Sequence, residues 1–144
     1  MLNDTCALAT KIDDIIDGFS LLDQWDDRYR YVIELGKALE PLPDAARNDD
    51  NKVRGCVSQV WIEDGEADGR IWLRGDSDSV LVKGLVAITT ALYSGKTPPE
   101  ALDVDALAIF RELGLEAHLT PQRSNGVRSM IERIRSDAKA LAGV

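Results

Sequence analysis

Few side chains in this sequence could carry covalent or metal chemistry. There are two cysteines, Cys6 and Cys56, and one histidine, His118. A cysteine acts through its thiolate, which positive charge and partial access to solvent favour. Cys56 follows Lys52-Val-Arg54-Gly55, so two cations precede it and a glycine lets the backbone turn sharply beside the sulfur. On residue type alone, a single cysteine beside valines is more often a small buried hydrophobe than a nucleophile. Cys6, near the start of the chain, is the weaker candidate. No C-x-x-C or local Cys/His cluster exists to close a zinc site, so no metal is expected. Two cysteines also fall short of the four ligands that usually hold an iron–sulfur cluster. A disulfide is not expected in a cytosolic chain of this size.

Other groups read as structural. Gly95-Lys96-Thr97 has the end of a phosphate loop, but that motif needs a glycine where Thr90 stands, and two prolines follow at once. Nucleotide binding is excluded. Asp76 and Asp78 read as helix caps, and Trp61 and Trp72 as packing residues. His118 invites comparison with a Cys–His pair, but no third member is evident to orient it.

The elements that must position Cys56 follow from periodicity. Ile12, Ile15, Ile16, Phe19 and Leu22 predict an amphipathic helix over about Thr10 to Leu22. A second is expected from about Asp26 to Glu40, turning Tyr29, Val32, Gly36 and Leu39 inward and stopped by Pro41 and Pro43. A polar connector covers Asp44 to Asn51. Val57 to Glu63 and Arg70 to Gly75 read as strands of an antiparallel hairpin with a longer loop, Asp64 to Gly69, between them. Val80 to Tyr93 is apolar nearly all round and should be the buried central helix. A short helix capped by Asp103 carries Leu107, Phe110 and Leu113 and ends at Gly114. After Pro121, the positions Val127, Met130, Ile131, Ile134, Ala138 and Leu141 mark a long amphipathic helix. Strands grouped between helices favour α+β over a wound parallel sheet. A single domain is expected over residues 1–144, with no repeats.

Bulk properties exclude further classes. The 144 residues carry a formal charge of −8 and are 44% hydrophobic. So acidic a chain does not suit nucleic acid, and no apolar run reaches the roughly 20 residues of a membrane span. Met1 to Asp17 lacks the pattern of a signal peptide, so a cytoplasmic location is expected. Residues 1–51 hold 5 basic and 12 acidic side chains, whereas residues 123–144 hold 5 basic and 2 acidic. The basic end reads either as a solvated helix face or as a patch that docks an acidic partner.

Four ordered motifs carry a resemblance to a known family. Val53-Arg-Gly-Cys-Val-Ser-Gln-Val-Trp61 resembles the cysteine-loop signature of the SufE/CsdE family of sulfur acceptors. Gly75-Asp-Ser-Asp78 with Val82-Lys-Gly-Leu85 is similar to its next motif, and Leu113-Gly-Leu-Glu-Ala-His-Leu-Thr-Pro-Gln-Arg-Ser-Asn-Gly126 to a third. Tyr29-Arg-Tyr-Val-Ile-Glu-Leu-Gly36 resembles a fourth. Together they span about residues 15–135. Val57 departs from the pattern, since many relatives have glutamine there.

The resemblance implies a small antiparallel sheet packed against several helices, the fold shared with NifU/IscU-type scaffolds. It implies that Cys56 takes sulfur, as a persulfide, from a SufS-like or CsdA-like cysteine desulfurase, stimulates that enzyme, and passes sulfur to a SufBCD-type scaffold complex. Pyridoxal phosphate belongs to the desulfurase, so this chain needs no cofactor and should not turn over alone. Arg54, Gly55, Ser58, Gln59 and Arg123 are implied to support the loop or touch the partner. Exposed persulfides are lost to small thiols and oxidants, so the loop is expected to shelter Cys56 until docking turns it outward. Two other readings stay open: a non-covalent activator of the desulfurase with Cys56 incidental, and a cysteine hydrolase active without a partner. The chain is compatible with a monomer or a homodimer.

Overall fold

In a computed structural model that describes residues 12–143, two antiparallel strands and seven helices enclose one core. The helices α1 (Ile12–Ser20) and α2 (Trp25–Lys37) lead through a 3-10 turn (Asp44–Ala46) to β1 (Val60–Ala67) and β2 (Arg70–Ser77). Then follow α3 (Val80–Tyr93), α4 (Pro98–Leu102), α5 (Ala106–Glu112), α6 (Leu115–His118) and α7 (Pro121–Ala142). This is the α+β arrangement expected, with the sheet as one layer and helices as the other. Residues 10 and 11 of the first expected helix, and Cys6, lie outside the described residues. Among the described residues, no helix is long and apolar enough to cross a membrane.

The central helix is α3, as its nearly uniform apolarity requires. Leu85, Val86, Ile88 and Tyr93 are fully buried, and the hydroxyls of Thr89 and Thr90 donate to the carbonyls of Leu85 and Val86 one turn back. That satisfies both threonine hydroxyls inside the core. Helices α2 and α3 meet backbone to backbone at Gly36 and Gly84. A Cβ on Gly84 would strike the Val32 carbonyl, so this crossing requires glycine.

Four boundaries differ from expectation. The hairpin has no long loop: its strands pair through Ala67↔Arg70, and Asp68 and Gly69, with φ of 55° and 78°, make a two-residue turn. Such a turn matches the twist of its strands, and this outweighed the polarity of Asp64 to Ala67. Strand β1 starts at Val60, so Val57, Ser58 and Gln59 belong to the preceding loop. Ser79 caps α3 by accepting from the Val82 amide, which leaves Asp76 and Asp78 for other work. Likewise Asp105, not Asp103, caps α5.

The basic C-terminal helix is a fastening face. Arg135 donates to the Leu102 carbonyl at 2.9 Å and Arg123 to the Tyr29 hydroxyl at 3.2 Å. Arg133 donates to Asp137 at 2.8 Å and to the Ile62 carbonyl at 3.2 Å. Three of the five cations that suggested a docking patch therefore hold α7 against the domain. Beside Arg133, Asp64 projects from β1 with a buried Oδ2 that has no hydrogen-bond partner. Burial first, and then its contact with Asp137, push the Asp64 carboxyl from 3.8 up to about 8, against the opposing pull of Arg133.

Because the folded chain holds this proton more tightly than the unfolded chain, its stabilising contribution is complete below pH 3.8 and is lost as pH rises to about 8. Asp64→Asn keeps the shape without the titration. It should melt about 3 °C or more above the natural chain at alkaline pH, with a smaller difference at mildly acidic pH, in thermal unfolding followed by circular dichroism. Equal melting temperatures at alkaline pH would show that ionising Asp64 costs the fold nothing.

Candidate functional site

The chain leaves the sheet and returns to it around Cys56. Asn51 to Val53 run antiparallel to the start of β1: Lys52 bridges Trp61, the Ile62 amide donates to the Asn51 carbonyl at 2.8 Å, and the Val53 amide donates to the Val60 carbonyl at 2.8 Å. Residues 54–59 are the excursion between these pins. Val53 and Val60 are buried, so both roots of the loop sit in the core.

Two devices shape the excursion. Gly55 has φ of 89°, a left-handed conformation that L side chains adopt only with strain, and a Cβ there would lie 2.5 Å from Ser129 Oγ on α7. Asp78 holds the other limb. Its carboxylate accepts from the Gln59 amide at 3.1 Å, while its own amide donates to the Gln59 carbonyl at 3.2 Å. Asp78 is thus a latch on the cysteine loop. Its neighbour Asp76, 3% exposed, pairs with Arg47 and lies 3.4 Å from Lys83, tying the 3-10 turn and α3 to the end of β2.

Cys56 is half-buried, and its thiol faces the Gly126 carbonyl of α7 at 3.6 Å. It opens on a pocket of about 220 Å³. Val82, Leu85, Val127 and Met130 supply apolar lining, while Ser58, Thr120, Gln122 and Arg123 bring polar groups. A carbonyl dipole and apolar surface both disfavour a thiolate, and burial pushes the Cys56 thiol up. The sulfur at rest is therefore a neutral thiol with space beside it. Gly126 contributes to that space, since a Cβ there would come within 3.5 Å of Sγ.

The expected residues divide. Ser58 and Arg123 line the pocket with Cys56, whereas Arg54, Gly55 and Gln59 are exposed on the loop and are not part of the lining. Arg123 is oriented by Tyr29, an α2 residue whose helical spacing marked it only as core. His118 is not a partner for the sulfur: it stacks on Trp25 with ring centroids 3.9 Å apart and donates from Nδ1 to the Gly114 carbonyl at 2.9 Å. Asp78 was legible only as a cap, because nothing local reveals that its acceptor faces a residue nineteen positions earlier. Val57 is 78% exposed beside the thiol, and Val80 is 58% exposed at the start of α3. Among the described residues, no group of three or more His, Cys, Asp or Glu could hold a metal ion.

Comparison with known proteins finds relatives over most of the chain. A family model, SufE, described as an Fe-S metabolism associated domain, matches residues 13–138. The chain is 52% identical over 134 residues to an uncharacterized SufE-like protein of Rhizobium meliloti strain 1021, covering 90% of this chain and 96% of that one. It is 53% identical over 135 residues to one of Rhizobium etli, covering 91% of each. The solution structure of a hypothetical protein from Thermus thermophilus shares the fold, with a TM-score of 0.75 at 18% identity over 92% of this chain and 96% of that one.

Two substitutions test the loop. Asp78→Ala removes the latch; it should lower stability by about 1 kcal/mol and speed alkylation of Cys56 several-fold. Gly55→Ala should cost about 1–2 kcal/mol in denaturant unfolding, because it adds backbone strain and crowds Ser129. An unchanged alkylation rate in Asp78→Ala would mean that the loop is held elsewhere.

Proposed function

The chain belongs to the SufE family, the Fe-S metabolism associated domain, and on that premise we propose that it accepts persulfide sulfur on Cys56 from a cysteine desulfurase and delivers it for iron–sulfur cluster assembly. The observation that carries this reading is the Cys56 thiol, the only one among the described residues, on a loop pinned at both roots and facing a pocket with room for more sulfur.

The chemistry balances without an outside oxidant or reductant. The Cys56 thiolate attacks the outer sulfur of a cysteine persulfide on the desulfurase. A bond forms between Cys56 Sγ and that sulfur, and the donor's sulfur–sulfur bond breaks. The electron pair leaves with the donor thiolate, which takes up a proton. Pyridoxal phosphate does its work on the desulfurase, where sulfur is drawn from free cysteine. This chain supplies an acceptor atom and a shelter. The acquired sulfur then passes to a cluster-building complex of the SufBCD type by a second exchange of the same kind.

Exchange at sulfur is fastest when the attacking thiol has a pKa near ambient pH. Burial pushes Cys56 above its ordinary value, so the resting thiol is a weak nucleophile. Docking that swings the loop away from the Gly126 carbonyl and the apolar lining would lower that barrier in the presence of the proper donor. The exposed Val57 and Val80 are suited to contact such a donor, a SufS-like or CsdA-like desulfurase. The same exposed valines favour one competing reading, an activator that binds the desulfurase while Cys56 stays idle. Cytoplasmic residence accords with the reduced state this thiol needs.

The deciding experiment is intact-protein mass under non-reducing conditions after incubation with the desulfurase and cysteine. A gain of one or more sulfur masses is expected, mapped to Cys56 and absent in Cys56→Ser. Acceleration of the desulfurase by Cys56→Ser, with no sulfur gained by either form, would establish the activator reading instead.

A further inference from the structure

Arg133 stands on α7 with its side chain 23% exposed, and its guanidinium reaches three acceptors. Nε donates to Asp137 Oδ2 at 2.8 Å, Nη2 to the Ile62 carbonyl at 3.2 Å, and Nη1 reaches the Lys52 carbonyl at 3.5 Å. Those two carbonyls belong to the opposite limbs of the cysteine loop. Lys52 is the last residue of the outgoing limb to bridge β1, just before Val53 closes the root on Val60. Ile62 lies on the returning limb and binds Asn51 through its amide. One planar fork therefore clasps both limbs from beneath, a geometry that a lysine's point charge would not reproduce.

Asp64 follows Ile62 by two residues on β1, so the strand period places it on the same face. Its buried Oδ2 lacks a donor. As an acid, Asp64 can donate to Asp137; as a carboxylate, it must look to Arg133. The charged groups that bear on Asp64 are Asp137 and Arg133 from α7 and, least strongly, Glu63 from its own strand. Glu63 is engaged by Arg74 of β2, and opposite Asp64 on β2 stands Leu73. With Asp64 protonated, Asp137 and Arg133 form a neutral pair, and the remaining donors of the guanidinium are free for the two carbonyls. With Asp64 ionised, two carboxylates compete for one guanidinium in a half-buried site. A carboxylate meets the guanidinium with a full opposite charge and a carbonyl only with a dipole, so the carbonyls lose that contest.

We propose that Arg133 is a positioning residue for Cys56, acting through the roots of its loop, and that the proton on Asp64 sets how firmly it grips. A protonated Asp64 leaves the clasp closed and the thiol sheltered. Loss of that proton draws Arg133 toward the carboxylates, frees the Lys52 and Ile62 carbonyls and lets the loop open. The shift of the Asp64 carboxyl to about 8 puts this change near neutrality. The proposal rests on the reading of Cys56 as the reacting group, but it concerns the chain alone and needs no desulfurase.

The test is the rate of Cys56 alkylation by iodoacetamide, in a Cys6→Ser background, for the natural sequence at these positions, Asp64→Asn and Arg133→Gln. Ionisation of the thiol raises all the rates with pH, so the ratios between forms carry the result. The ratio of natural form to Asp64→Asn should be near 1 at about pH 6.5 and rise to about 3 at about pH 9, because only the natural form can ionise at position 64. Arg133→Gln should react about 3 times faster than the natural form at about pH 6.5, and that advantage should shrink by about pH 9. A purely structural Arg133 would give a factor independent of pH. A ratio of natural form to Asp64→Asn that does not change with pH overturns the proposal, as does a folded Arg133→Gln that reacts no faster at the lower pH. Should Arg133→Gln fail to fold, the Asp64→Asn ratio decides alone. Failure here leaves the sulfur-acceptor reading intact, whereas absence of a sulfur mass gain on Cys56 sinks that reading and leaves Arg133 only a control on access to an idle thiol.

Discussion

The closure of the cysteine loop is the constraint on which the rest of this structure depends. A loop can hold one sulfur atom at a fixed place only if its two ends cannot drift apart. Here the Val53 amide and the Val60 carbonyl join those ends at 2.8 Å, between two buried valines. Sheet, central helix and C-terminal helix each serve that closure. Strand β1 supplies the returning limb, α3 and α7 supply pocket lining, and β2 runs on into Asp78, which latches Gln59. Helix α2, which crosses α3 closely at Gly36 and Gly84, also carries Tyr29, whose hydroxyl accepts from Arg123. Much of the molecule is a mount for one short excursion of chain.

That mount holds the sulfur in an unreactive form. An apolar lining and a backbone carbonyl favour the thiol over the thiolate, so shelter and nucleophilicity are opposed within one conformation. The proposed function, which asks the group both to keep sulfur from small molecules and to exchange it with a chosen partner, needs two loop positions. The fold suits this, since the excursion hangs on a few hydrogen bonds while its roots are buried. Opening it would leave the core intact, as local openings in folded proteins commonly do.

Several features were legible because they depend on neighbours in sequence. The periodicity of Val127, Met130, Ile134 and Ala138 is enough to predict α7, and the apolarity of Val80 to Tyr93 marks the helix at the centre. The four motifs pointed to Cys56 and to the family. Errors arose where two local signals competed. Asp64 to Gly69 looked like a loop because it is polar, yet Asp68 and Gly69 alone could make the turn, and the strands ran up to them. Asp76 and Asp78 resembled caps because they precede a helix, but Ser79 stood nearer its first turn and took that place.

By itself, the sequence determined the longer helices, the two strands and the order in which they occur, and it singled out Cys56 as the candidate for chemistry; it did not mark the short helices α4 and α6. Hydrophobic period, turn chemistry and residue type are properties of adjacent residues, and they survive without knowledge of the folded shape. Only the tertiary structure decided what surrounds that sulfur. It aimed Asp78 at Gln59, laid Arg133 beneath Lys52 and Ile62, set Tyr29 against Arg123, and turned His118 away to stack on Trp25. Apart from Asp78 and Gln59, these partners lie about seventy to more than ninety positions apart in the chain. Whether a charged side chain becomes a cap, a clasp or a solvated ornament depends on which acceptors folding brings within 3–4 Å, and no local pattern encodes that distance.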